Sequence, residues 1–362
     1  MTADAVGGVW SYALDLAAGL AAHGVRTLLA VLGPAPDAGR CEAARAVPGL
    51  TMLATGLPLD WLADSATEIA VAGEALALMA RQEGVDLVHL NSPALAVAGF
   101  PVPVLGACHS CLATWWRAMR GAAPLPSDFA WRTELLGRGY AAADTLVAPS
   151  AAFAGATATA YRLARLPQVV HNGRRRPAAM AATQAPLVFT AGRLWDEGKD
   201  LGTLDRAAAR LPVPVLAAGP VEGPNGARVA LRHLRLAGQL SAEEVAAFLA
   251  QGPVFASAAR YEPFGLAVLE AAQAGCALVL SDIPSFRELW DGTALFVPPG
   301  DDEALATAIL GLLREPDHRR IFSLAARERA QRYGVEAMTE GMLKLYGKLL
   351  GGGAGMRRGK AA

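Results

Sequence analysis

The sequence predicts an α/β protein made of two doubly wound domains, each with a parallel β-sheet covered by helices on both faces. Short apolar segments rich in valine and leucine alternate with helical patterns along the chain, which is typical of buried parallel strands joined by crossover helices. This alternation occurs once in each half of the chain. The length of 362 residues also suits two domains better than a single hydrophobic core.

In the first half, strands are predicted where the apolar segments are bounded by Gly, Pro, Asn or Ser. These segments are residues 26–32, 51–54, 86–90, 102–107, 145–148 and 168–170. Helical patterns lie between them. The first, residues 10–22, places Trp10, Leu14 and Ala18 on one stripe and ends at His23-Gly24.

The second half repeats this order of elements. Its predicted strands are residues 187–191, 213–217, 231–236, 254–256, 277–280 and 294–297. Its predicted helices are residues 201–210, 242–249, 266–274, 302–314 and 317–333. Two such sets predict two doubly wound sheets with ligand sites beyond the carboxyl ends of the strands.

The domain boundary is expected in residues 174–185, where a charged run and Pro177 break the periodicity. We therefore assign residues 1–177 and 178–334 to the two domains, and interpret the arginines at 174–176 as a solvated linker. A final helix is predicted over residues 335–350. The glycine-rich residues 351–362 are expected to form a disordered tail.

Composition limits the classes of function. Lysine plus arginine and aspartate plus glutamate both number 33, so the chain lacks the positive surplus of a nucleic-acid-binding protein. The start lacks a basic segment followed by an apolar run, and residues 85–105 are interrupted by polar residues and prolines. The four cysteines are too scattered for a disulfide framework. We expect a cytoplasmic protein with reduced thiols.

The densest chemical signal is the segment Arg260-Tyr-Glu-Pro-Phe-Gly-Leu-Ala-Val-Leu-Glu270. Gly265 at a helix start allows a ligand to approach free backbone N–H groups, which favour an anion. Glu270, inside the first turns, is suited to ribose hydroxyls, and Glu262 to the hydroxyls of a sugar. The alternative is a pair of surface glutamates around a helix cap. The candidates of this segment are Glu262, Pro263, Phe264, Gly265, Leu266 and Glu270.

A second candidate segment follows the first predicted strand of the second domain, at residues 191–200. Arg193 and Lys199 lie in this loop, where they could grip a diphosphate, Arg as a planar fork and Lys as a point charge. The alternative is ordinary charge pairing at a helix start among Asp196, Glu197 and Lys199.

Together these segments resemble the retaining glycosyltransferases of family 4, which have the GT-B fold. The match also includes Asn172-Gly173 near the domain boundary and Gly7-Gly8-Val9 near the start, so it covers nearly the whole chain in motif order. The resemblance implies two Rossmann-like domains facing across a cleft. It further implies transfer of a sugar, with retention, from a UDP- or GDP-type donor to an acceptor such as a sugar, a lipid-linked sugar or a small molecule.

The resemblance also assigns roles to residues. Gly7 and Gly8 would approach the donor, while the cations Arg193 and Lys199 would bind its diphosphate. Glu262 would contact the transferred sugar and Glu270 the ribose. The final helix would return to the first domain.

His109 would lie beside the reacting sugar and so completes the catalytic candidates, which are His109, Glu262, Arg193 and Lys199. Two other uses of this histidine are open. Cys108 and Cys111 flank it in a Cys-x-x-Cys that could serve a metal or redox site, and His109 could be a structural histidine. His89 and His171 are interpreted as strand-end residues with local hydrogen bonds.

The chain departs from the family pattern at three places. Only six residues precede Gly7, which predicts a short first strand or a start that lacks a few residues. The loop has Gly198-Lys199 in the order opposite to the usual one. The junction has His171 where the family usually has proline.

An aromatic and basic segment follows His109. Trp115, Trp116, Arg117 and Arg120 could stack on an acceptor or touch an anionic membrane surface. They could equally belong to a core helix whose arginines face water.

No Asp-x-Asp occurs in the sequence, so we expect a metal-independent transfer without a cofactor; Asp301-Asp302-Glu303 is interpreted as a helix cap. We see no assigned nucleophile, which favours front-face attack. Two alternatives to a transferase are a nucleotide-sugar epimerase of the same fold and a non-catalytic sugar-nucleotide-binding homologue. A NAD-dependent dehydrogenase is disfavoured because no Gly-x-Gly-x-x-Gly opens either domain.

Overall fold

The computed structural model describes residues 1–175, 184–224 and 226–356. The chain divides into two compact units: unit 1 comprises Met1–Gly173 with the C-terminal segment from Val335, and unit 2 comprises Arg174–Gly334. The predicted boundary between residues 177 and 178 lies outside the described residues. Arg174 belongs with unit 2 because it forms a β-bridge with Gly334.

Unit 1 is an α/β unit with parallel strands, as predicted. Its strands are β1 (Thr2–Asp4), β2 (Thr27–Leu32), β3 (Leu50–Ala54), β4 (Val88–Leu90), β5 (Val104–Ala107), β6 (Thr145–Ala148) and β7 (Gln168–Val169). The helices are α1 (Gly8–Ala21), α2 (Ala38–Arg45), α3 (Ala66–Gln82), α4 (Leu112–Arg120), α5 (Ser127–Ala142) and α6 (Ala151–Tyr161).

The strands of unit 1 form two parallel sheets, ordered β1-β2-β3 and β4-β5-β6-β7. Asn91, directly after β4, joins their neighbouring edges: its backbone N–H donates to Thr2 Oγ1 at 2.9 Å. The strand order therefore reverses between β1 and β4, which is where doubly wound sheets bind ligands.

Unit 2 is a single parallel sheet of six strands in the order β10-β9-β8-β11-β12-β13. The strands are β8 (Val188–Ala191), β9 (Val215–Ala218), β10 (Arg235–Gly238), β11 (Val254–Ser257), β12 (Ala277–Ser281) and β13 (Leu295–Val297). The helices are α7 (Leu201–Ala208), α8 (Ala242–Leu249), α9 (Leu266–Ala274), α10 (Pro284–Trp290), α11 (Asp302–Arg314) and α12 (Pro316–Ala330). Its strand order reverses between β8 and β11.

The central strands of unit 2 are buried on both faces. Phe189 and Phe255 point into one apolar layer, whereas their neighbours Val188 and Val254 point into the other. Because side chains alternate across a strand, burial on both faces requires continuous apolar runs, and these runs were the signal in the sequence.

One predicted strand is displaced. The apolar alternation predicted a strand over residues 231–236, but β10 begins at Arg235. The carboxylate of Asp205 accepts hydrogen bonds from the backbone N–H groups of Arg232, His233 and Leu234. These N–H groups bond to a side chain instead of a neighbouring strand.

The last helix, α13 (Val335–Met356), belongs to unit 1. Its buried Met338 and Met342 pack in one cluster with Tyr12 and Leu16 of α1. The helix continues six residues beyond the predicted end at 350, because glycine disfavours helical backbone without forbidding it. The rest of the predicted tail, residues 357–362, lies outside the described residues.

Within the parts of the chain that the structure describes, no helix has both the length and the apolar character needed to cross a membrane.

Candidate functional site

Two loops meet where the strand order of unit 2 reverses. One follows β8 and carries Arg193 and Lys199; the other follows β11 and carries Glu262. Because β8 and β11 are parallel neighbours, both loops emerge at the same edge of the sheet. The backbone of Arg260 also donates to the Gly198 carbonyl oxygen at 2.9 Å, which ties the loops together.

Lys199 and Glu262 form an ion pair across these loops. Their side chains are 22% and 16% exposed, respectively, so the pair is partly shielded from water. Ser285 holds the Glu262 loop from the other side, since its hydroxyl donates to the Glu262 backbone carbonyl. The predicted cation and carboxylate are thus brought together at the switch point.

Arg193 lies at the entrance of the first loop and pairs with Asp196 at 2.9 Å. Its guanidinium carbon lies 5.5 Å from the centroid of the Trp195 ring, and its side chain is 39% exposed. Asp196 in turn accepts a hydrogen bond from the Gly198 N–H at 2.9 Å. Arg193 is therefore held by charge pairing while its guanidinium remains accessible.

Gly265 starts α9 in a backbone conformation that only glycine adopts readily, with φ at +91°. A Cβ at this position would lie 3.0 Å from a ring carbon of Phe286. Gly265 is the N-cap residue of α9, and as a glycine it has no side chain that could bond to the first N–H groups of the helix. Its first N–H groups are consequently suited to an anion. Phe264 is buried in the core, while Pro263 and Leu266 are half-buried.

Glu270, further along α9, pairs with Arg174 at 2.7 Å. The Arg174 backbone is fixed as well, because its N–H donates to the Tyr333 carbonyl and its carbonyl accepts from Gln273. The sequence analysis interpreted Arg174 as part of a solvated linker. This interpretation is wrong for Arg174, because its guanidinium pairs with the partly buried carboxylate of Glu270.

The glycine loop of unit 1 lies at the switch point of that unit. Gly7 is extended, with φ at −142°, and α1 begins at Gly8. Asp4 shapes the loop, since its carboxylate accepts hydrogen bonds from the N–H groups of Val6 at 2.8 Å and Gly7 at 3.2 Å. Gly8 is exposed, so the start of α1 is open to a ligand.

His109 follows β5 at the same edge of unit 1. Its Nε2 lies 2.7 Å from Asn91 Oδ1, and its ring packs edge-on against Tyr12 with centroids 4.6 Å apart. Burial lowers the pKa of His109 to about 4, so the ring is neutral near pH 7. The sequence analysis did not single out Asn91, although its position at a strand end was a usable signal.

The cysteines that flank His109 are buried thiols. Cys108 and Cys111 are both buried, and burial raises the pKa of Cys108 to about 12. A buried thiol that stays protonated at neutral pH is a poor nucleophile. In residues 1–175, 184–224 and 226–356, no three or more His, Cys, Asp or Glu side chains are grouped so as to hold a metal ion.

The interpretation of His89 as a strand-end residue with a local hydrogen bond is wrong, because His89 lies in the middle of β4 and its partner is far away in the sequence. His89 is buried and contacts the Tyr346 hydroxyl of α13 at 2.7 Å through Nδ1. His171 is half-buried after β7.

Trp115 and Trp116 form an aromatic cluster on α4 with Phe129 of α5. The Arg120 guanidinium lies 5.6 Å from both indole centroids, and Arg117 is exposed. Both indoles are half-buried, so α4 is a surface helix with a partly accessible aromatic face.

Comparisons with known proteins agree with this architecture. Residues 6–175 match the family profile described as Glycosyltransferase Family 4. Residues 185–315 match the profile described as Glycosyl transferases group 1. The two matches together span most of the chain.

One curated relative is the phosphatidyl-myo-inositol mannosyltransferase of Mycolicibacterium smegmatis, which is 33% identical over 124 residues, or 33% of this chain. The match spans 32% of that relative's length.

Solved structures of low sequence identity share the fold. Sucrose-phosphate synthase from Thermosynechococcus elongatus superimposes with a TM-score of 0.76 at 20% identity, over 97% of this chain and 99% of that one. Anabaena Alr3699/HepE in complex with UDP-glucose gives a TM-score of 0.73 at 18% identity, over 96% and 99% of the two chains. The profiles and the fold together show that the chain belongs to glycosyltransferase family 4 and has the GT-B fold.

Proposed function

We propose that this protein transfers a sugar from a nucleoside-diphosphate donor to an acceptor hydroxyl, with retention of anomeric configuration. The observation that carries the proposal is the arrangement at the switch point of unit 2. Two cations lie in the loop after β8, one carboxylate lies in the loop after β11, and a second carboxylate lies on α9, whose N-cap residue is Gly265. These residues are Arg193, Lys199, Glu262 and Glu270.

The ion pairs of this site have the polarity that a nucleotide sugar requires. Phosphate oxygens accept hydrogen bonds, whereas ribose and sugar hydroxyls donate them. A diphosphate can therefore satisfy Lys199 while a sugar hydroxyl satisfies Glu262, its present partner. In the same way, ribose hydroxyls can replace Arg174 as the partner of Glu270.

The diphosphate would rest on Arg193, Lys199 and the N–H groups at the start of α9. As the bond between sugar and phosphate lengthens, negative charge grows on the leaving phosphate. Fixed cations and helix N–H groups stabilise that charge without reorganising, so we propose a transfer that needs neither a divalent metal nor a cofactor. Turnover should then continue in excess chelator, and its loss with restoration by Mg²⁺ would overturn this point.

In unit 1, we propose that Gly7, Gly8 and His109 contact the substrate sugar. The half-buried Trp115 and Trp116, with Arg117 and Arg120, are the proposed acceptor contacts. Indole faces stack on sugar rings, and guanidinium groups bind phosphate. A phosphate-bearing acceptor agrees with the phosphatidyl-myo-inositol named in the mycobacterial relative.

The UDP-glucose named in the Anabaena structure supports a UDP-type donor, and a GDP-type donor is the alternative. The four cysteines are too scattered along the sequence for a disulfide framework, which supports our proposal that the enzyme acts in the cytoplasm.

A thermal-shift comparison of UDP, GDP, UDP-glucose and GDP-mannose tests the proposal. A ligand at a hundred times its Kd stabilises the folded state by about 2.7 kcal/mol, so one nucleotide series should raise Tm clearly. No shift with any of the four would contradict the proposal. Incubation with the donor alone should leave the sugar's configuration unchanged, whereas an epimerase would interconvert it.

A further inference from the structure

Asn91 is held by contacts on two sides at the switch point of unit 1. Its side-chain Nδ2 lies 2.6 Å from the Thr2 backbone carbonyl oxygen, and its backbone N–H donates to Thr2 Oγ1 at 2.9 Å. Its Oδ1 faces His109 Nε2 at 2.7 Å. The carboxamide thus connects the end of β4 to β1 and to the segment after β5.

These contacts fix which end of the carboxamide faces the histidine. A backbone carbonyl oxygen only accepts hydrogen bonds, so the atom of Asn91 beside the Thr2 carbonyl must be the donor, Nδ2. The reversed amide would place two oxygen atoms against each other. Oδ1 of Asn91 is therefore the atom that faces His109.

The direction of the amide determines the tautomer of the histidine. Oδ1 can only accept, so Nε2 of His109 must carry a hydrogen and donate it. A neutral imidazole carries one hydrogen on its two nitrogens, and burial keeps the His109 ring neutral near pH 7. Nδ1 is then an unprotonated acceptor. Within the described residues, no hydrogen bond to this nitrogen is formed.

We propose that Asn91 is a positioning residue that holds His109 in the Nε2–H tautomer, so that Nδ1 is available to accept a hydrogen bond from a substrate sugar hydroxyl. Tyr12 supports the same orientation by packing edge-on against the ring. The sugar contact rests on the proposed function, whereas the tautomer rests on the geometry of unit 1.

Nitrogen NMR of the full-length protein labelled with ¹⁵N-histidine tests the tautomer without a ligand, because protonated and unprotonated ring nitrogens differ widely in chemical shift. The wild-type protein should give one His109 signal set with hydrogen on Nε2. Asn91→Leu should give a mixture of the two tautomers, and the exposed His23 and His233 provide internal reference signals. Tyr12→Phe is the matched control: it keeps the ring against His109 and should leave the tautomer unchanged.

Hydrogen on Nδ1 in the wild-type spectrum would overturn the proposal, and this result does not depend on whether Asn91→Leu folds. An unchanged Nε2–H signal set in a folded Asn91→Leu protein would overturn it as well.

Two pairs of titrations test the sugar contact: UDP-glucose is compared with UDP, and GDP-mannose is compared with GDP. The Nδ1 signal should respond to the sugar-bearing nucleotide and not to its nucleoside diphosphate. Asn91→Leu should weaken binding of that nucleotide sugar about three- to tenfold, the scale of one lost hydrogen bond, and leave the diphosphate's affinity unchanged.

If a nucleotide sugar binds saturably and the chemical shift of His109 Nδ1 does not change, the proposed sugar contact is wrong, and the role of Asn91 is unaffected. If none of the four nucleotides binds, the proposed function fails together with the sugar contact, and the ligand-free spectrum still decides the role of Asn91.

Discussion

The Lys199 ammonium group and the Glu262 carboxylate form an ion pair between two loops that are 63 residues apart in sequence. The pair joins the loop after β8 to the loop after β11, the two strands between which the sheet order of unit 2 reverses. It therefore connects the proposed phosphate-binding cation directly to the proposed sugar-binding carboxylate. A ligand that occupies one of these groups must also satisfy the other.

Lys199→Ala should lower kcat by about a hundredfold or more, because removal of one preorganised charge stabiliser from a transition state has an effect of this size. Lys344→Ala, which removes an exposed lysine of α13, is the control and should retain full turnover. Steady-state kinetics with saturating donor provide the measurement. Near-normal kcat in Lys199→Ala would exclude the proposed role.

Glu270→Ala should remove the preference for a ribose over a deoxyribose. Hydrogen bonds to a charged group contribute about 1.5–3 kcal/mol, so the wild-type protein should bind UDP more tightly than 2′- or 3′-deoxy-UDP, or the corresponding guanosine compounds. Glu340→Ala, an exposed site on α13, should preserve this preference. Equal discrimination in Glu270→Ala and the wild type would show that another group binds the ribose.

Gly265→Ala should destabilise unit 2 by more than Gly292→Ala does. Both glycines have positive φ, +91° and +74°, but a Cβ at Gly265 would lie 3.0 Å from Phe286, whereas at Gly292 it would meet open space. The left-handed conformation costs about 1–2 kcal/mol for alanine, and only Gly265→Ala adds a steric term. Chemical denaturation should show that Gly265→Ala loses more free energy of unfolding than Gly292→Ala does. An equal loss in both variants would mean that Phe286 moves aside at no cost.

The stability of unit 1 should fall as the solution becomes acidic. Burial lowers the pKa of His109 from the ordinary 6.5 to about 4, and it also lowers the pKa of His89. Between these pH values the unfolded chain binds protons that the folded chain does not, so the free energy of unfolding decreases as pH falls from about 6.5 towards 4.

His109→Gln should reduce that pH dependence, because it removes one of the two depressed groups. His233→Gln, at an exposed position, should leave it unchanged. Denaturation midpoints at about pH 7.5 and about pH 5 provide the comparison. An identical slope in His109→Gln would show that this ring does not titrate abnormally.

The fold could be predicted because its signal is local. Apolar runs such as the one containing Val188 and Phe189 are needed wherever a strand is buried on both faces. The displaced β10 shows the limit of that signal. The carboxylate of Asp205 captures the backbone N–H groups of residues 232–234, a tertiary contact that no alternation of side chains encodes.

The sequence predicted where the candidate site lies, but it did not identify every residue that contributes to it. Strand ends indicated that Lys199 and Glu262 emerge at one edge, since parallel neighbours end at the same side of a sheet. The partners Arg174 and Asn91 were missed because each acts through a contact across the fold, to Glu270 and to His109 respectively. A residue's type and spacing do not reveal such partners.

Isothermal titration calorimetry of UDP-glucose and GDP-mannose tests the central claim that the loops of unit 2 bind a nucleotide sugar. The account predicts saturable binding of one of them to the wild-type protein. An Arg193→Ala, Lys199→Ala double variant should bind it at least about a hundredfold more weakly, because two charge-assisted contacts are lost. No binding to the wild type, or equal affinity in the double variant, would contradict the account.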